Sequence, residues 1–291
     1  MLAQIKVLCL PALTLIAFAG NSVLCRLALE EGAIDPHSFT SLRLLGAAIV
    51  LGPLSIRIAP NRSTGWTHGS WRSGLALYAY AAAFSMAYLS LSSGTGALIL
   101  FGAVQITMLV AAHRRGERMH PQQWIAFTVA IAGIIYLVSP GVSAPNPLGA
   151  LLMLVSGIAW GLYSIAGKNR TSPTLTTSGN FLRATPLALA GSVCALASMQ
   201  LSLPGVILAL LSGSITSGLG YVLWYTALPK LTTTQAAVAQ LLVPLLATLG
   251  GIVFIDEQFT VRLAIASALV ISGVAWSITR KNEHKDSAPK S

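Results

Sequence analysis

Residues 121–139 read PQQWIAFTVAIAGIIYLVS and residues 260–278 read TVRLAIASALVISGVAWSI. Each is a continuous apolar run long enough to cross the hydrocarbon core of a bilayer as one helix, which takes about 20 residues for roughly 30 Å. The second run also echoes the first. Gly133 and Tyr136 are answered 140 residues later by Gly273 and Trp276, and Glu117, ahead of the first run, is answered by Glu257 ahead of the second. Continuous runs rather than ten-residue alternations point to helices and not to a strand barrel.

Working outward, further runs fall at Ile5–Leu29, Pro36–Ile58, Trp71–Leu91 and Gly94–Ala112 before the first of the pair. Between the two lie Pro147–Gly167, Thr176–Met199, Pro204–Ala227 and Thr233–Ile255. Arg43 and Arg183 keep the same separation of 140, and Phe18-Ala-Gly20 is matched by Ala159-Trp-Gly161. Five spans per copy is an odd number, so the second copy enters the membrane inverted, an arrangement that places a solute site between the halves near the midplane. The expected fold is an all-α membrane protein: ten transmembrane helices, as two inverted five-helix repeats (1–140 and 141–280) around a central cavity, with a basic cytoplasmic tail at 281–291.

Composition agrees. The 291 residues are 54% hydrophobic and only 9% charged, against roughly a quarter in soluble domains. The net charge of +10 comes from clusters between apolar runs rather than from one amphipathic face, which argues against a nucleic-acid partner and for an orientation signal. With the N-terminus inside, cytoplasmic segments receive Lys6, Arg57, Arg62, Arg72, Arg114, Arg115, Arg118, Lys168, Arg170, Lys230, Arg280, Lys281, Lys285 and Lys290, fourteen of the 18 basic residues. The opposite face receives Glu30, Glu31, Asp35, Asp256 and Glu257. Both termini are therefore expected in the cytoplasm of a bacterial cell, the chain being a multi-pass protein of the inner membrane. Lys6, the run Val7 to Ile16 and Ala17-Phe18-Ala19 imitate a cleavable signal peptide, but the apolar stretch continues to Leu29 and has a partner later in the chain. The sequons at Asn61 and Asn169 fall on the cytoplasmic side and read as chance matches. Cys9, Cys25 and Cys194 lie within apolar runs, where a small soft side chain packs like alanine.

Two five-helix halves, an arginine early in the second helix of each (Arg43, Arg183) and an acidic residue between the fourth and fifth helices (Glu117, Glu257) resemble the EamA repeat of the drug/metabolite transporter superfamily. Gly20-Asn-Ser-Val-Leu-Cys-Arg26 and Gly94-Thr-Gly-Ala-Leu-Ile-Leu-Phe-Gly-Ala-Val-Gln105 are most similar to the YddG-type exporters of aromatic amino acids. The resemblance implies a ten-helix basket around a cavity and export of amino acids and related metabolites, in some members efflux of cationic toxic compounds. One position departs from the pattern: Pro244 in the ninth run corresponds to Val104 in the fourth, not to a second proline.

A membrane site for such a solute needs flat apolar surfaces, hydrogen-bonding groups, and charges or helix ends for the ionic parts. Trp160 and Tyr163 share one face of the sixth helix beside Gly157 and Gly161; cavity lining and packing against lipid are the alternatives. Tyr78 in the third run and Tyr221 in the eighth are candidates of the same kind, whereas Tyr88 and Trp224 suit the membrane interfaces. Asn21, Ser22, Gln105 and Gln240 are polar groups in apolar spans, available for helix-to-helix bonding or for a solute. Arg43 and Arg183 read either as structural anchors, snorkelling to the near face, or as gating and carboxylate-attracting charges.

The function expected is a secondary transporter of small metabolites, a monomer needing no cofactor or metal. An intramembrane enzyme would require a buried nucleophile with its base, or metal ligands, at membrane depth; the five histidines fall in or beside loops, and no His-Glu-x-x-His or Gly-x-Ser-x-Gly occurs. A channel is the remaining alternative. Because the acidic residues also lie near helix ends or in loops, a facilitator driven by the solute gradient is expected rather than a proton-coupled carrier.

Overall fold

The computed structural model describes residues 2–59, 67–114, 121–141, 144–167, 172–227, 240 and 242–286. Their elements are helical: α1 (Leu2–Glu30), α2 (Pro36–Ile58), α3 (Trp71–Ala87), α4 (Ser93–Arg114), α5 (Pro121–Val138), α6 (Pro147–Gly167), α7 (Pro173–Cys194), α8 (203–227), α9 (Leu242–Ile255) and α10 (Val261–Asp286). Segments within α1, α2, α4, α6 and α8 are long and apolar enough to cross a membrane, and shorter apolar stretches lie in α5, α9 and α10. Glu117 and the loop basics Arg62, Arg115, Arg118, Lys168, Arg170 and Lys230 lie outside the described residues. Where a tail was expected from 281, α10 continues to Asp286.

The sequence explains most boundaries. Proline occupies the first helical position of α2, α5, α6 and α7, where its missing N–H costs nothing and its fixed φ suits the helix. Asp35 caps α2, its Oδ1 accepting from the backbone N–H groups of His37 and Ser38 at 3.0 Å each, and Ser70 caps α3 through the Ser73 N–H. α3 ends at Ala87, four residues before the expected Leu91. Residues 88–90 form a turn, which leaves Ser93 to open α4.

Neighbouring helices follow a regular scheme. α5 lies along α10, α2 along α7 and α4 along α9; α6 rests on α3 and α4, while α1 rests on α8 and α9; α3 touches α7 and α2 touches α8. In lipid such contacts are held by close packing of small residues rather than by a hydrophobic drive. At Gly157 of α6 an added Cβ would stand 2.6 Å from both the Leu100 carbonyl oxygen and the Ala103 Cβ of α4, and at Gly213 of α8 it would meet the Arg43 backbone carbonyl of α2. Both positions need a residue without a side chain.

α8 is not uniform. Leu203–Leu211 is α-helical, Ser212–Leu219 is a π-helix, and Gly220–Ala227 is α-helical again. The middle segment, Ser-Gly-Ser-Ile-Thr-Ser-Gly-Leu, is rich in hydroxyls that bond back to carbonyls of the preceding turn, Ser214 to Leu210 at 2.6 Å and Thr216 to Ser212 at 2.8 Å. Such back-bonding competes with the regular ladder, and π segments gather at functional sites.

Candidate functional site

The interior where α1, α3, α4, α6 and α8 meet is lined by Phe18, Asn21, Ser22, Tyr80, Phe84, Leu100, Phe101, Trp160 and Tyr221. These side chains enclose a void of only about 10 Å³, room for about one water. The aromatic rings fill the rest of the space. Trp160 is the hub: it stacks on Tyr163 (5.5 Å between centroids, 30° between planes), tilts against Tyr80 (4.9 Å) and Tyr221 (4.8 Å), and meets the edge of Phe18 at 6.1 Å. Phe18 in turn touches Tyr221 and Trp224, both at 5.9 Å.

A polar seam runs beside these rings. Asn21 Oδ1 accepts from the hydroxyls of Ser212 and Thr216 on the π segment, and its Nδ2 donates to Tyr80 Oη at 3.4 Å. The same Tyr80 oxygen accepts from Arg43 Nη2 at 2.8 Å, and Arg43 Nε donates to Ser217 Oγ at 3.0 Å. Arg43 is 1% exposed. Its guanidinium lies 5.1 Å from the Tyr80 ring centroid and 4.9 Å from that of Phe84.

The structure thus brings Trp160, Tyr163, Tyr221, Asn21 and Ser22 together. It does not bring Tyr78, whose hydroxyl faces Gly191 of α7; Tyr80 holds the position expected of it. Gln105 is buried on α4 with its Nε2 unbonded, and Gln240 is buried as well, but neither lines the void. Tyr88 and Trp224, expected at the interfaces, are 0% and 6% exposed: Tyr88 packs edge-on against Phe84 at 4.7 Å. The paired arginines diverge. Arg183 stays half-buried near one end of the bundle, donating to the carbonyls of His68 (2.7 Å) and Gly179 (2.9 Å) beside Trp71, whereas Arg43 does not snorkel at all.

One end of the bundle is sealed by residues that hydropathy alone does not single out. Glu257, in the loop between α9 and α10, accepts from the Ser93 N–H with both carboxylate oxygens (2.8 and 2.9 Å) and from Ser93 Oγ at 3.3 Å. It caps α4, where a carboxylate meets the positive end of the helix dipole. Arg26 joins Glu257 at 3.6 Å and Glu30 at 2.7 Å, and donates to the Tyr88 carbonyl at 2.9 Å. Burial pushes the Glu257 carboxyl above the usual glutamate range, the Ser93 bonds and Arg26 only partly offsetting it. At the same end Asp35 also holds the Gln200 N–H at 3.1 Å, and the Ser202 N–H reaches the Ala33 carbonyl at 2.9 Å. Burial works against the Asp35 charge, yet the hydrogen bonds from Ser38, Gln200 and His37 outweigh it and hold the carboxyl below its ordinary value. No group of three or more histidine, cysteine or acidic side chains that could hold a metal occurs among the described residues.

Comparison with known proteins bears on these features. The EamA-like transporter family matches twice, over residues 5–139 and 147–279. An uncharacterized protein of Pseudomonas aeruginosa is 47% identical over 271 residues, 93% of each chain. A probable terminal-alkyne amino-acid exporter of Streptantibioticus cattleyicolor is 25% identical over 90% of each chain. A solved crystal structure, described simply as that of a protein, superposes with a TM-score of 0.61 at 21% identity, covering 93% of this chain and 99% of its own.

Proposed function

The chain belongs to the EamA-like transporter family, and from that premise we propose that it is a secondary transporter of amino acids, aromatic ones among them, and of related small metabolites. It is a membrane transporter and not an enzyme; the solute and the mechanism are the parts proposed. The observation that carries the reading is the aromatic cluster centred on Trp160, which presents stacking faces from α1, α3, α6 and α8 beside the polar groups of Asn21 and Ser22. Flat rings flanked by a few fixed polar groups suit a solute with an apolar side chain and a polar head.

Alternating access between two inverted repeats is the mechanism proposed. It is supported by the helix neighbours: exchanging each helix with the one five places on converts the α3–α6 contact into α8–α1 and the α4–α6 contact into α9–α1, while α2–α7, α4–α9 and α5–α10 map onto themselves. The void, too small for an amino acid, and the sealed Glu257 end fit a closed member of such a cycle. In the proposed orientation this end faces outward, both termini are cytoplasmic, and a monomer suffices.

Radiolabelled amino acids supplied to proteoliposomes test the proposal. Saturable uptake with counterflow is expected, and Trp160→Ala is expected to lower it more than tenfold per folded molecule, since truncation removes the shared stacking surface. Unsaturable flux, or unchanged transport in the Trp160 variant, would refute the site.

A further inference from the structure

We propose that Arg43 is the anion-binding group of the solute site, and that the transported solutes therefore carry a carboxylate. This rests on the transporter reading above.

What sets Arg43 apart is the company it keeps. The three half-buried arginines of the described residues all have strong acceptors: Arg26 has the carboxylates of Glu30 and Glu257, Arg183 the carbonyls of His68 and Gly179, and Arg262 the carbonyls of Leu137, Ser139 and Pro140. Arg43 is more deeply buried than any of them, yet it bonds only two neutral hydroxyls, Tyr80 Oη and Ser217 Oγ, and its Nη1 has no hydrogen-bond partner. A buried guanidinium without a counter-anion is costly to hold, and the guanidinium fork matches a carboxylate with two parallel bonds.

The surroundings show where that anion would enter. Tyr80 and Phe84, the two rings over which the guanidinium lies, are themselves walls of the central void. A tyrosine hydroxyl and a serine hydroxyl can turn away when a stronger acceptor arrives. In the closed form the charge is parked on the π faces and on Tyr80 Oη; with the cavity open, a carboxylate replaces Tyr80 Oη as acceptor and takes the free Nη1 as its second donor. Asn21, bonded through Nδ2 to the same Tyr80 oxygen, also lines the void, and its Oδ1 can accept from an amino group on the same solute in exchange for the hydroxyl of Ser212 or Thr216. The charge that welcomes a carboxylate also repels a cation, so the aromatic cluster serves zwitterions and acids rather than lipophilic amines.

Saturable uptake of labelled phenylalanine and of phenethylamine, its decarboxylated form, is measured in proteoliposomes holding wild type, Arg43→Lys or Arg43→Gln. Wild type is expected to prefer phenylalanine at least about tenfold, a modest ratio for a site built around one hydrogen-bonded group. Arg43→Gln is expected to bring the ratio near one, and Arg43→Lys to keep part of it. A ratio unchanged in Arg43→Gln, or near one in wild type, overturns the assignment. Should the glutamine variant not fold, thermal protection of wild type decides: phenylalanine must raise the melting temperature more than phenethylamine, and equal protection refutes the role of Arg43. Absence of saturable uptake of either compound by wild type would instead count against the amino-acid transport reading on which the assignment stands.

Discussion

Replacing Gly251 with alanine attacks the sealed end at its tightest point. An added Cβ there would overlap Glu257 Oε2, stand 2.9 Å from its Cδ and lie 3.2 Å from Ser93 Cβ, where ordinary contact begins at 3.4 Å. The carboxylate must retreat on the order of 1 Å, which carries its bonds to the Ser93 N–H from 2.8 and 2.9 Å beyond the range of good hydrogen bonds. The bond lost is both the helix cap and charge-assisted, worth about 0.5–2 kcal/mol as a cap and about 1.5–3 kcal/mol as a bond to a charged group. Burial already disfavours the charge, so the lower part of the latter range applies, about 2 kcal/mol in all. At roughly 2–4 °C per kcal/mol for a chain of comparable size, Gly251→Ala should melt about 4–8 °C below wild type when thermal unfolding is followed by tryptophan fluorescence in detergent. The cause is isolated by a double-mutant cycle with Glu257→Ala, in which the alanine at 251 should cost at most a few tenths of a kcal/mol once the carboxylate is gone. Equal destabilisation by Gly251→Ala in both backgrounds would refute the reasoning.

Two further predictions concern the packing and the titration of the same scaffold. Gly213→Ala would drive a methyl into the Arg43 backbone, with Cα and carbonyl carbon both at 2.9 Å, so α8 and α2 must part; a cost of about 1–3 kcal/mol or more is expected, read as a lower melting temperature that no single second-site side-chain truncation restores. The two sealing acids should respond to pH in opposite senses. Glu257, raised by burial, contributes stability that is fully present below the ordinary glutamate pKa and fades as pH climbs through its native value, so Glu257→Gln should flatten the melting temperature across that window. Asp35, lowered by its hydrogen bonds, contributes stability present above the ordinary aspartate pKa and lost as pH falls through its native value, so wild type and Asp35→Asn should differ at neutral pH and converge in strong acid.

The spans were legible in the sequence because hydropathy and proline placement are local: the expected starts of α2, α5 and α6 at Pro36, Pro121 and Pro147 coincide with the helices found. Which face of a span turns inward was not. Tyr78 and Tyr80 are two residues apart, hence about 200° apart around a helix; only one can face the central void, and α3 turns Tyr80 to it beside Trp160 of α6 while Tyr78 meets Gly191 of α7. The small pair Gly157 and Gly161 beside Trp160 is visible in its own run as a place of close helix approach, and the helix that approaches there is α4. Arg43 and Arg183 are equivalent by position but not by surroundings, since their acceptors come from elements remote in sequence: Tyr80 and Ser217 for the one, His68 for the other. The cap that Glu257 places on Ser93 joins residues 164 apart and leaves no periodic trace.

The π segment of α8 acts as a phase shifter. An α-helix advances about 100° per residue, and a wider turn absorbs one residue more than an α-helical turn would, so everything beyond Leu219 is set one step round from where an unbroken helix would leave it. Deleting a single residue between Ser212 and Leu219 would let the ladder close in regular α form, yet it would swing Tyr221 and Trp224 by about 100°, taking them from Phe18 and Trp160 toward the outside of the bundle. A helix that is one residue too long for its own geometry is thereby what keeps the aromatic faces in register.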